Sequence, residues 1–444
     1  MTRKSASRWL AIPLLAVLAV GLAGCGGKKK NITPTLGERT PVLSRIESGA
    51  RVDPALASVA VVIPPASVNT EWAQPGGTAG KAPGHLALAA NPSRIWTASV
   101  AGSSNQRRLA ASPVVAAGKL FVIDTEAMVH AFDADTGSKI WSQQLEVASR
   151  LRGSAFGGGV SFDDGKVYAT NGIGEVAALD AETGRELWKV KPAGPLRGSP
   201  TVAFGSVYVM TQDNQIHALS AVDGSPQWQE SGAVGQAGVF GVAAPSVGQG
   251  TIVAGYSSGE LVAYRYENGR TLWSDALART SISTEVGTLT DVDADPIIDG
   301  GRVFALGQGG RMAAYELVTG QRLWELNLAG ISTPALGGGW IFTLTDDSRL
   351  LAISRNNGRV RWITQLSEWR NAKKEKNRIF WTGPVLAGNT LWVGSSRGAL
   401  VAVDVAEGAI GREIDLGNSL SLPPVVANQT LYVLDDGGRI SAFR

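Results

Sequence analysis

The stretch ALDAETGRELW, residues 178–188, leads from a strand-like run through a turn centred on Thr183-Gly184 to a tryptophan, and close copies of it recur seven times along the 444 residues. Aligning the chain on itself gives an alanine at Ala131, Ala178, Ala218, Ala263, Ala314, Ala352, Ala402 and Ala442, in units of about 40 to 50 residues. Ten positions before these alanines stand Phe121, Tyr168, Tyr208, Val253, Phe304, Phe342, Trp392 and Tyr432. Ten positions after stand Trp141, Trp188, Trp228, Trp273, Trp324, Trp362 and Arg412. Eighteen before stand Pro113, Val160, Pro200, Pro245, Pro296, Pro334, Pro384 and Pro424.

Within this frame short β-prone runs such as LFVI, VYVM and IFTL alternate with turn clusters such as TGSK and NGRT, and no stretch sustains a 3.6-residue period. Each unit therefore reads as four short strands: A after the proline, B at the aromatic, C at the alanine and D at the tryptophan. The C-to-D turn calls for a residue tolerant of positive φ, and Gly137, Gly184, Gly224, Gly269, Gly320, Gly358 and Gly408 stand there. Repeats of four antiparallel strands with this period predict an all-β fold, an eight-bladed β-propeller. The eighth unit stops at Arg444 before its tryptophan, while NPSRIW at residues 91–96 copies TGSKIW. This N-terminal strand is expected to complete the last blade and close the ring.

Ahead of the repeats, Arg3, Lys4 and Arg8 precede an apolar run from Trp9 to Leu22, too short and wrongly flanked for a stable membrane span. The run ends in Leu22-Ala23-Gly24-Cys25, which resembles the bacterial lipobox. Residues 1–24 therefore read as a lipoprotein signal peptide, and Cys25, the single cysteine, as the lipidation site. Gly26, where an aspartate would signal inner-membrane retention, points to the outer membrane. Residues 25–91 are rich in Pro, Ala, Gly and Ser and read as a flexible tether whose end, carrying Trp72, docks on the body; 92–444 form the propeller.

Composition excludes several chemistries. Removing Arg3, Lys4 and Arg8 leaves 38 basic against 38 acidic residues, so no nucleic-acid footprint is present. Lys373-Lys374-Glu375-Lys376 reads as a solvated loop. With Cys25 acylated no thiol remains for redox or zinc chemistry. Asp291, Asp293 and Asp295 are spaced D-x-D-x-D, yet Pro296 and Arg302 stand where an EF-type calcium loop needs glycine and glutamate. His130 and His217 share one repeat slot that elsewhere accepts alanine or leucine, which marks them as structural. No Ser/His/Asp constellation, metal site or cofactor site is legible, and no catalytic residue is assigned.

The repeat AxDxxTGxxxW resembles the PQQ-type propeller repeat and lacks the Gly-His and Trp-Asp pairs of WD40 blades. Two groups share it: quinoprotein dehydrogenases, with pyrroloquinoline quinone in the central funnel, and the BamB family of outer-membrane lipoproteins. Lipobox, tether and eight blades together resemble the BamB family over essentially the whole chain. The adjacent-cysteine disulfide and the haem-binding Cys-x-x-Cys-His of the dehydrogenases are missing.

Extended D-to-A links, Ser274–Asp295, Ile363–Gly383 and Ser142–Gly159, decorate one face. Three positions before the proline lie Arg197 and Asp293, in a slot filled elsewhere by Ala110, Val242, Ile331, Trp381 and Ser421. The resemblance implies a non-enzymatic scaffold of the barrel-assembly (BAM) complex, facing the periplasm, that binds the POTRA domains of BamA through Leu196, Arg197, Asp291 and Asp293. Unfolded outer-membrane proteins are its implied clients. Gly194 departs from the family pattern, where some relatives carry leucine. The alternatives are a periplasmic quinoprotein and a propeller that captures peptides or cell-wall polymer on strand edges.

Overall fold

The ten-residue spacing is the register of the blade hairpins. The computed structural model describes residues 50–196, 198–233, 243–277 and 291–444. In the second blade, strands Lys166–Thr170, Val176–Asp180 and Glu186–Val190 pair antiparallel, with Tyr168 opposite Ala178 and Ala178 opposite Trp188. The same row recurs as Phe121, Ala131, Trp141 and as Phe304, Ala314, Trp324. Paired residues project to one face of a sheet, so each alanine lies between two large side chains. The rings of Tyr168 and Trp188 reach across Ala178 to a centroid separation of 6.0 Å, and Ala178 is fully buried.

The tryptophan also joins blade to blade. Trp141 Nε1 donates to the Ala181 carbonyl at 3.0 Å, Trp228 to Tyr266 at 2.9 Å and Trp273 to Leu317 at 2.8 Å, in each case three residues past the alanine of the following blade. Its ring lies on that blade's turn glycine: a Cβ on Gly184, where φ is +74°, would stand 2.6 Å from the Trp141 ring. The glycine thus serves the turn and also clears the ring. In the seventh blade Arg412 takes the tryptophan's place, and its guanidinium reaches the Pro92 carbonyl at 3.4 Å.

Eight four-stranded sheets follow. The last is closed as the sequence predicts: Arg94–Ser99 pairs with Arg439–Phe443, Trp96 lies opposite Ala442, and Trp96 Nε1 donates to the Ala134 carbonyl of the first blade. No helix among the described residues is long and apolar enough to cross a membrane.

The segment before the ring departs from the expected tether. From Ala50 to Asn91 it has almost no regular structure, yet it runs around the central channel and bonds to the innermost strands. Trp72 exchanges backbone hydrogen bonds with Val115 of the first blade, and the Phe162 N–H donates to the Ala73 carbonyl from the second. The Gln74 side chain donates to the Val202 carbonyl and accepts from its N–H in the third. Ala79 and Gly80 accept from Val247 and Ile298, in the fourth and fifth blades. Ile63 packs on Gly337 of the sixth, Leu86 bonds to Leu386 and Gly388 of the seventh, and Asn69 bonds to Asn428 and Val426 of the eighth. The contacted residue is usually two positions past the proline, where the A strand presents an unpaired edge to the channel. A buried edge N–H or C=O without a partner is costly, and this segment supplies the partners. Trp72, as expected, docks: it is 5 % exposed in the cluster with Leu86, Val115 and Val426. His85 is held by the Pro64 carbonyl and the Asn389 N–H. Residues 1–49, with Cys25, lie outside the described residues.

Candidate functional site

Above this segment the channel opens, on the face of the D-to-A links, into a cavity of about 530 Å³. Its floor includes Trp72, Pro75, Lys81 and Pro83 from the segment, and its walls are the entries to the A strands around Pro113, Pro334, Pro384 and Pro424. The slot three positions before the proline forms its rim: Ala110, Asp293, Ile331, Trp381 and Ser421 all line it. A position aligned by sequence repetition is here a ring in space. Arg197 and Val242, the other two members named from sequence, lie outside the described residues.

The four residues expected to meet a partner are not equally placed. Asp293 stands on the rim, half-buried. Leu196 is 2 % exposed and packs with Tyr168, Val202 and Val207 between the second and third blades. Asp291 is fully buried, and its backbone carbonyl accepts from Gln308. Leu196 and Asp291 therefore shape the links from beneath, while Asp293 reaches the cavity directly.

Repetition gives no signal for the charges at the floor. Lys81 is buried, its Nζ donates to Thr201 Oγ1 at 3.1 Å, and Asp295 accepts from the Ala244 N–H at 2.7 Å. Burial lowers the Lys81 ammonium to about 8, with the Asp295 carboxylate opposing that shift. Burial likewise raises Asp295, with Lys81 opposing. Each group moderates the other's cost of leaving water.

The expectation that no Ser/His/Asp constellation exists is corrected in the first blade. His130 bonds Ser142 Oγ through Nδ1 and Asp124 Oδ2 through Nε2, each at 2.8 Å. Asp124 follows the B strand, seven positions before the blade alanine, a slot that holds an aspartate elsewhere only at Asp435, so the repeat gives no sign of its bond to His130. Its Oδ1 accepts from the Glu126 and Met128 N–H groups. Although burial raises Asp124, these bonds and the one to His130 outweigh it and hold the carboxyl below its usual range. Ser142 lies on an exposed strand and does not line the cavity, and the bonded chain ties three strands of the first blade together. His217, in the equivalent slot, bonds Gln215 at 3.1 Å.

Comparison with known proteins places this architecture. The profile of the family described as "Outer membrane protein assembly factor BamB" matches residues 84–151, 125–364 and 367–444. The chain is 27 % identical over 359 residues to the assembly factor BamB of Yersinia pestis, covering 80 % of this chain and 89 % of that protein. It is 27 % identical over 353 residues to BamB of Escherichia coli, covering 79 % and 88 %. Among solved structures, BamB from Moraxella catarrhalis superposes with a TM-score of 0.68 at 20 % identity, over 80 % of this chain and all of that one. The quinohemoprotein alcohol dehydrogenase of Comamonas testosteroni gives 0.67 at 16 % identity, over 88 % and 82 %, a likeness of fold alone. The chain belongs to the BamB family of outer membrane protein assembly factors.

Proposed function

We propose that this protein is a non-enzymatic scaffold of the outer-membrane barrel-assembly machinery. In this reading it is anchored by lipid on Cys25 to the periplasmic face of the outer membrane and holds the POTRA domains of BamA at the mouth of its channel. Family membership carries the reading, and the convergence of the rim slot on one cavity supports it. Within the four residues of the interface, Arg197 and Asp293 contribute charge that orients the partner, while Leu196 and Asp291 hold the links in shape.

The test is capture of BamA from detergent-solubilised membranes by the tagged full-length protein. Wild type should bring BamA down, and folded Arg197→Glu and Asp293→Arg variants should lose it. Wild type without BamA overturns the reading; retention by both variants moves the interface elsewhere. Titration with pyrroloquinoline quinone tests the enzymatic alternative, and the scaffold reading expects its absorption spectrum to stay unperturbed.

A further inference from the structure

The link between the sixth and seventh blades contains a two-stranded hairpin, Trp369–Asn371 paired with Lys376–Arg378, around the exposed run Lys373-Lys374-Glu375-Lys376 that reads from sequence as a solvated loop. From Arg370 to Arg378 it carries five cations against the single carboxylate of Glu375, in a chain that is otherwise nearly balanced. We propose that this hairpin and the adjacent Phe380 form a docking surface for an acidic protein segment bearing an apolar side chain. The proposal rests on the scaffold reading and names the partner chemistry on the side of the mouth formed by the sixth and seventh blades.

Three observations carry it. First, the hairpin is fixed in advance. Arg370 and Arg378 donate to the Ser396 and Asp346 carbonyls, Trp381 Nε1 donates to the Ser367 carbonyl at 3.0 Å, and Ile379 is 1 % exposed. A surface ordered beforehand loses little entropy on binding. Second, the lysines Lys373, Lys374 and Lys376 are exposed, and none makes a side-chain hydrogen bond or ion pair among the described residues. Their charge is available to a partner, and rim charges of this kind steer association.

Third, an aromatic anchor stands beside them. The Phe380 backbone is held on both sides by Ser396, at 2.9 Å and 2.8 Å, yet its ring is 64 % exposed under the Arg378 guanidinium. Phe380 lines the cavity with Ile331, itself 48 % exposed. An exposed aromatic fixed next to an arginine and a concave apolar wall is the composition of an interface core. A cationic ridge beside that hollow fits the relief of a folded acidic protein better than a flat lipid surface.

The test places a photocrosslinking phenylalanine analogue at position 380 of the full-length protein in cells, and separately at position 293. At 380 the expected adduct joins an acidic protein segment. It should fall about tenfold when Lys373→Glu, Lys374→Glu and Lys376→Glu are combined in a variant of unchanged melting point. An adduct to lipid, an adduct indifferent to the charge reversal, or no adduct overturns the proposal. Position 293 reports the scaffold reading separately. BamA at 293 with nothing at 380 removes the hairpin surface alone. A charge-dependent acidic protein adduct at 380, with BamA absent from both positions, removes the scaffold reading and leaves the surface.

Discussion

Ala178 sits beneath both Tyr168 and Trp188, and Gly184 beneath the Trp141 ring, so neither has space for a larger side chain. Ala178→Leu should destabilise the protein by about 1–3 kcal/mol through overpacking. Trp188→Ala, which empties a half-buried site, should cost roughly 3 kcal/mol, the low end for such truncations; denaturant titration checks both, and unchanged midpoints would remove the row from the core. Asp124→Asn should cost about 1–3 kcal/mol at neutral pH by weakening the His130 bond. Because the folded-state pKa of Asp124 is depressed, its contribution is present above the unfolded value of about 4 and is lost as pH falls through the folded one. The gap between wild type and variant should therefore close in acid. Lys81 has linkage of the same sign in a higher pH window: its folded value near 8 lies below the unfolded one, so the unfolded chain binds more protons between them. Wild type should gain stability relative to Lys81→Met as pH rises from 8 towards about 10. Spacing made the aromatic, alanine, glycine and tryptophan legible because register forces them into rows. Lys81 lies outside the frame, and Asp124 lies in a frame position where the only other aspartate is Asp435 of the eighth blade, so only folding shows what the two side chains meet.

At the scale of elements, the largest difference between sequence and structure is the segment from Ala50 to Asn91. Its composition reads as a tether because it has neither strand nor helix period. It is ordered because the ring offers a succession of strand edges, and a chain that bonds a different strand every few residues needs no period of its own. Trp72→Ala should cost about 3–5 kcal/mol, since Trp72 is buried against the first and eighth blades. Gln74→Ala should cost about 1–3 kcal/mol by leaving the Val202 N–H and carbonyl without partners. Thermal unfolding of the two variants measures this; melting points matching wild type would mean that the segment merely rests on the ring.

For the whole molecule, the eight blades and their closure by Arg94–Ser99 were legible because the missing eighth tryptophan strand had one counterpart, NPSRIW. The candidate site was legible in part. The rim slot emerged from alignment, but its convergence over a floor built from residues 72–84 depends on the course of the N-terminal segment. The most direct measurement is hydrogen–deuterium exchange of the full-length protein with and without the soluble POTRA arm of BamA. Binding at the channel mouth should slow exchange in the D-to-A links around Asp293, Ile331 and Phe380 and leave the C-to-D turns of the opposite face, such as Asp180 to Gly184, unchanged. Protection of those turns instead, or none anywhere, would contradict the assignment of this face to the partner.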